Sequence, residues 1–252
     1  MSVLEKLKSA TSAEPKPVFG VVAAPRLGGK TTLAGTLPGR TLLLQAQVFE
    51  SGSESAKALA ARNGFQLDVV NFNTLQELNS VLTELKADTS YDSVYVDGLS
   101  AITELKMREP RMIQLLKSDN WAAFRELGDL VTEVLLNAKE LTYPHKNKKA
   151  KDTWVTCALK VEQKGATTDV ELETKGRVAV TAVTKLAEVV VTVLPPQQTE
   201  NGMTGYRLLT KSDGVWPGRI DGVLADNNAG IIEPADLSKV LSIRNGVKKN
   251  GK

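Results

Sequence analysis

Pro17-Val18-Phe19-Gly20-Val21-Val22-Ala23-Ala24-Pro25-Arg26-Leu27-Gly28-Gly29-Lys30-Thr31-Thr32-Leu33-Ala34-Gly35-Thr36-Leu37-Pro38-Gly39 is the stretch on which the reading of this chain turns. Its first part, apolar and partly β-branched, reads as a buried strand. Thr31 to Leu37 reads as a short helix stopped by Pro38-Gly39. Between them Ala24 to Thr31 fits the phosphate-binding loop, in the strand, loop and helix setting that the motif requires.

Each residue type there has a task. Gly28 and Gly29 let the backbone turn tightly and aim its N–H groups at phosphate oxygens, and the positive end of the following helix favours an anion. Lys30 is placed to reach the β- and γ-phosphates, and the Thr31 hydroxyl to complete the shell of a Mg²⁺. Thr32 is a candidate for the α-phosphate. The nucleotide-binding set is therefore Ala24, Pro25, Arg26, Leu27, Gly28, Gly29, Lys30, Thr31 and Thr32. The alternative is a glycine-rich turn that binds nothing.

Composition sets the frame. A chain of 252 residues with 42% hydrophobic residues can bury one sizeable α/β core. The expected organisation is a tail over 1–16, one nucleotide-binding domain over 17–243 and a basic tail over 244–252. The single cysteine, Cys157, lies in the apolar run Trp154 to Leu159 and reads as a buried strand residue of a reducing compartment. One histidine and one cysteine make a zinc site untenable. No apolar run has the length of a membrane span, so the expectation is a cytoplasmic protein, in a bacterial host cell if phage-encoded. A net charge of +3 leaves any nucleic-acid argument to local clusters.

Strand-like and helix-like segments alternate along the chain, the sign of a mostly parallel sheet covered by helices. Thr41 to Gln47, Leu67 to Phe72, Tyr91 to Asp97, Trp154 to Val161 and Glu188 to Leu194 read as strands. Ser53 to Arg62 reads as a helix, and so does Thr74 to Lys86, with Leu75, Leu78, Leu82 and Leu85 on one face. A longer helix is predicted over Trp121 to Leu141, ending before Pro144. Asp97 closes the run Val94-Tyr95-Val96-Asp97. From the carboxyl end of a strand it would project into the crevice where open α/β sheets bind ligands and hold the Mg²⁺ opposite Thr31. Capping a helix that starts at Gly98 is the competing role.

The series Gly29-Lys30-Thr31-Thr32-Leu33-Ala34, Leu42-Leu43-Leu44 and Tyr91-Asp92-Ser93-Val94-Tyr95-Val96-Asp97-Gly98-Leu99-Ser100 resembles the RecA-like, phage-type ATPases with a minimal core. The resemblance spans about Val18 to Leu224 and is specific at the phosphate and metal motifs. It implies a RecA-like core, ATP and Mg²⁺ as cofactors, assembly into a homo-oligomeric ring or filament, and single-stranded DNA as partner for annealing or recombination. It also implies a polar γ-phosphate sensor near the end of a later strand, for which Gln163 is the candidate and an exposed loop glutamine the alternative. ATP over GTP rests on the resemblance and on the lack of an Asn-Lys-x-Asp run.

RecA-like enzymes carry a glutamate beyond the strand after the loop helix, where it orients the attacking water. Here that run ends Gln45-Ala46-Gln47, and a glutamine cannot accept the proton of water at neutral pH. Glu50 is the candidate catalytic substitute, and Glu104 reads as surface charge. The expectation is slow hydrolysis. Arg177, Lys185, Lys211 and Arg219 are candidates for a cation supplied to a neighbour's γ-phosphate, each with solvated charge as the alternative. The basic run Tyr143 to Lys151, with Lys146, Lys148, Lys149 and Lys151, is the candidate nucleic-acid surface; Tyr143 or His145 would stack on a base. The rival reading of the whole chain is a nucleotide-gated module for a protein partner, with little turnover.

Overall fold

The computed structural model describes residues 16–49, 52–144, 149–164, 167–173, 177–199, 202–221 and 230–246. Its centre is a mostly parallel sheet. The strands are β1 (Phe19–Ala24), β2 (Arg40–Ala46), β3 (Gln66–Phe72), β4 (Ser93–Asp97), β5 (Asp152–Lys164), β6 (Thr167–Leu172) and β7 (Val189–Leu194), with short β8 (Gln198–Thr199), β9 (Gly202–Met203), β10 (Arg207–Leu209), β11 (Arg219–Ile220) and β12 (Ile231–Ile232). The order is β12-β10-β7-β1-β5-β4-β2-β3, with β11 also on β7 and β6 on β5. From β7 across to β3 the pairing is parallel. β10, β11 and β12 close the other edge antiparallel.

Helices on both faces explain why the central strands read as unbroken apolar runs. One face carries Leu78 and Leu82 of the helix Leu75–Leu85, Val131 and Leu135 of the helix Asn120–Glu140, and Val183 of the helix Arg177–Leu186. The opposite face packs Leu33 and Ala34 of the 3-10 helix Thr31–Thr36, Ala56 of the helix Ser53–Arg62 and Val240 of the helix Leu237–Arg244 against Leu43, Tyr95 and Trp154. Trp154 is wholly buried and fills the space beside Gly20 on the neighbouring strand. A Cβ at Gly20 would stand 2.3 Å from the indole ring, so the small residue is a packing requirement.

The expected strands and helices form within a few residues of their predicted bounds. The helix that follows the loop is 3-10 rather than α, six residues long and closed by backbone bonds such as Leu33 N–H to Lys30 O. Its close packing is the local reason: a Cβ on Gly35 would lie 2.3 Å from the Ala56 carbonyl, so this turn is pressed against the next helix. Four helices go beyond the sequence reading: Leu99–Met107 is expected only as a possible capped segment, and Pro110–Ser118, Arg177–Leu186 and Leu237–Arg244 carry no expectation. The capped residue is also different, since Gly98 and not Asp97 is the N-cap of Leu99–Met107. None of the described helices is long and apolar enough to cross a membrane.

Candidate nucleotide site at the carboxyl end of the sheet

β1 ends at Ala24, and the chain leaves the sheet through Pro25 to Lys30 before the 3-10 helix begins. Gly28 N–H donates to Pro25 O at 3.0 Å and closes the turn. A Cβ on Gly28 would meet that carbonyl at 2.8 Å and the Ala24 Cβ at 2.9 Å, so only glycine fits. Gly29 takes φ +78°, the left-handed region where glycine carries no steric penalty. Leu27 also has a positive φ, 60°, and is 97% exposed, an uncommon conformation for a bulky residue at the tip of the loop. Lys30 lays its ammonium back over the turn, 3.3 Å from Pro25 O.

The two sequence motifs meet here. Thr31 Oγ1 donates to Asp97 Oδ2 at 2.5 Å, although 66 positions separate them. Thr156 Oγ1, on the strand between β1 and β4, donates to Asp97 Oδ1 at 2.6 Å. Asp97 and Thr156 are both fully buried. Gln45 stands opposite Asp97 in the β2–β4 register and is 3% exposed, with no hydrogen-bond partner for its Nε2. Alternation along the strands puts Gln45, Asp97 and Thr156 on the same face as Leu43, Tyr95 and Trp154, which is the face under the 3-10 helix. The result is a buried polar row directly behind the loop.

Two further contacts shape the loop. Tyr95, fully buried on β4, donates its hydroxyl to Lys30 O at 2.6 Å. Burial, and then the negative charge of Asp97, push its phenol well above the ordinary value, so it stays a donor. β5 runs on past the sheet and pairs antiparallel with β6, and the return brings Glu173 N–H onto Ala158 O at 2.7 Å. Ala158 is level with Ala24, so Glu173 arrives at the loop, where it holds Arg26 through Nη2–Oε1 at 2.6 Å and Nε–Oε2 at 3.3 Å. That hydrogen bond and charge raise the Arg26 pKa, with a lesser pull from Glu104. Cys157 lies beneath, its thiol pushed up to about 12 by burial, with no reactive character.

Ala24 through Thr32 form one loop-and-turn unit, and Thr31 ties it to Asp97. Thr31 offers a hydroxyl and Asp97 a carboxylate, a hard oxygen set that suits Mg²⁺. Among the described residues no cluster of three or more His, Cys, Asp or Glu exists.

Other expected residues lie elsewhere. Gln163 does not end its strand, because β5 continues to Lys164. Exposed, and accepting from Thr168 Oγ1 at 3.1 Å, it sits five residues, or roughly 16 Å, beyond Ala158. Gln47 is exposed past the end of β2. Glu50, His145, Lys146, Lys148 and the Arg177 side chain lie outside the described residues. Lys149 pairs with Asp92 at the amino ends of the strands, remote from the loop. Lys151 is a correction to the basic-surface expectation: it is 1% exposed and donates to the carbonyls of Leu85 at 2.9 Å and Asp88 at 2.6 Å. Its ammonium closes the carboxyl end of the helix Leu75–Leu85 and has no face for a phosphate backbone. Arg219 is likewise engaged, with Thr184 O at 3.0 Å, Ala187 O and Asp221. Lys185 and Lys211 are exposed.

The residues that sequence reasoning missed are Gln45, Tyr95, Thr156 and Glu173. Tyr95 lies two residues before Asp97 on one strand and so shares its face, a signal the sequence carries, whereas Thr156 joins them only through the β4–β5 register. Glu173 has no local signal. Comparison with protein-family models and with curated proteins finds no match to this chain.

Proposed function

We propose that this chain is a RecA-like, Mg²⁺-dependent ATP-binding protein with slow hydrolysis, which assembles as a homo-oligomer on single-stranded DNA and promotes annealing or recombination. The observation that carries the nucleotide reading is the 2.5 Å contact between Thr31 and Asp97, which joins the two motifs into one site. Lys30 and the loop N–H groups bind the triphosphate. Since the following helix is a six-residue 3-10 turn, the loop and Lys30 supply most of the anion binding and the helix dipole little. Thr31 and Asp97 would hold the Mg²⁺, which would supply positive charge to offset that of the triphosphate.

The groups described around the loop support slow turnover. Asp97 is committed to two hydroxyls, Gln45 and Gln47 cannot take a proton, and Glu173 is engaged by Arg26. Opening of the Arg26–Glu173 pair would free a carboxylate at the loop mouth. The DNA and oligomer parts of the reading rest on the resemblance of the motifs to phage-type ATPases.

The burial of Lys151 favours a second reading, a nucleotide-gated module for a protein partner, because it removes one cation from the basic run. Fluorescence anisotropy with labelled single-stranded DNA, with and without MgATP at two salt concentrations, separates the two. The first reading expects binding that strengthens with MgATP and weakens with salt. Absence of binding at low salt with and without nucleotide removes it. Unchanged ATP affinity in Lys30→Ala would refute the nucleotide site itself.

A further inference from the structure

The sheet order β10-β7-β1-β5-β4 places the phosphate loop between two flanks. On one side, two strands away, β4 carries Asp97. On the other, two strands away, β10 begins at Arg207, immediately after Tyr206. On the reading of 24–32 as a nucleotide site, the metal pair Thr31–Asp97 fixes the β- and γ-phosphates toward β4. The β7–β10 flank is then the side left for the sugar and base.

An aromatic ring stands on that side. A Cβ on Gly29 would lie 3.7 to 3.8 Å from Cε1, Cδ1 and Cζ of Tyr206, so the ring stands beside the loop, at the distance an added methyl group would bridge. Its backbone is anchored: Tyr206 O accepts from Ala235 N–H at 2.8 Å, and the segment before it is closed by Thr204 N–H to Gln197 O at 2.9 Å and Gln197 N–H to Thr204 Oγ1 at 2.9 Å. The residue remains 42% exposed, which leaves ring surface for a second planar group.

We propose that Tyr206 is the platform on which the nucleobase stacks, a subsite for a planar heteroaromatic ring on the β7–β10 flank of the loop. Stacking uses the π-face that every base presents, so it adds affinity without reading the base edge. This inference rests on the nucleotide reading of the loop, and the ligands of the test keep the two apart.

The experiment is calorimetric titration of the full chain with MgATP and, separately, with magnesium tripolyphosphate, which has the phosphates but no base. Tyr206→Ala is expected to weaken MgATP about tenfold or more and to leave tripolyphosphate within about twofold, while Tyr206→Phe keeps both affinities. Equal weakening of both ligands, or unchanged MgATP binding, in Tyr206→Ala overturns the platform and leaves the phosphate site standing. A parent chain that binds neither ligand overturns the phosphate site and the platform with it. Retained tripolyphosphate binding in Tyr206→Ala excludes misfolding as the cause of its MgATP loss.

Discussion

Removing one oxygen atom, in Tyr95→Phe, tests how the sheet holds the phosphate loop. The Tyr95 hydroxyl donates to Lys30 O at 2.6 Å from a fully buried position, so phenylalanine keeps the packing and leaves that carbonyl without its partner. Loss of the bond and the stranded acceptor together cost about 1–3 kcal/mol. For a chain of this size each kcal/mol moves the melting temperature by about 2–4 °C, so a fall of roughly 2–12 °C is expected near neutral pH by circular dichroism. The pH dependence adds a second check. Burial holds the folded-state pKa of Tyr95 well above that of an ordinary phenol, about 10, so its contribution is complete below pH 10 and declines as pH rises toward the folded value, because the unfolded chain releases the proton first. The gap between parent and variant therefore narrows above pH 10, and the variant's alkaline limb is flatter. Equal melting temperatures at pH 7 together with parallel alkaline limbs would refute the claim that β4 clamps the loop through this hydroxyl.

Four other outcomes follow. Asp97→Asn should weaken ATP binding about tenfold or more in Mg²⁺ and leave it little changed in excess EDTA, since the variant loses the charge and keeps the shape; equal loss in both conditions would remove Asp97 from the metal side. Gly20→Ala drives a Cβ into the Trp154 ring at 2.3 Å and should cost about 1–3 kcal/mol, read as a lower melting temperature; an unchanged value would mean that β1 and Trp154 are not packed together. Cys157, with its thiol raised to about 12 by burial, should resist a disulfide reagent at pH 8 in the native protein and react once unfolded in guanidinium, whereas rapid native labelling would contradict its place in β5. Lys151→Ala should lower the melting temperature by stranding the Leu85 and Asp88 carbonyls, while Lys149→Ala, an exposed pair with Asp92, should change it by a degree or two at most; the reverse order would return Lys151 to the surface.

What the sequence made legible was what local pattern encodes. Leu78, Leu82 and Leu85 recur at helical spacing and are buried as a stripe, and the apolar runs of β1 and β4 are buried on both faces as such runs must be. Motif spacing also brought Thr31 and Asp97 to one site. Partners set by strand order were hidden, because nothing in the sequence states that β5 lies between β1 and β4 and so puts Thr156 beside Asp97. Gln45 looked like the end of a strand; its burial becomes visible only from the β2–β4 register. Lys151 was misjudged for a related reason. In a run of lysines its charge suggests solvent, but the free carbonyls at the end of the helix Leu75–Leu85 draw it inward. Glu173 depends on a hairpin whose length, not composition, carries it back to Arg26.

The polar row Gln45, Asp97 and Thr156 marks a waterline inside the sheet. Below it the same strands offer Leu43, Tyr95 and Trp154 to the core; above it they surrender hydrophobic contact at the level where burial would otherwise be most complete. An orphaned amide and a buried carboxylate are poor material for stability, so the fold is weakest per residue where it is most specific. An apolar residue of equal volume at Gln45 would remove the orphaned amide and make a hardier protein, whereas one at Thr156 would strand the buried Asp97 carboxylate, so neighbouring positions of one row answer the same change with opposite signs.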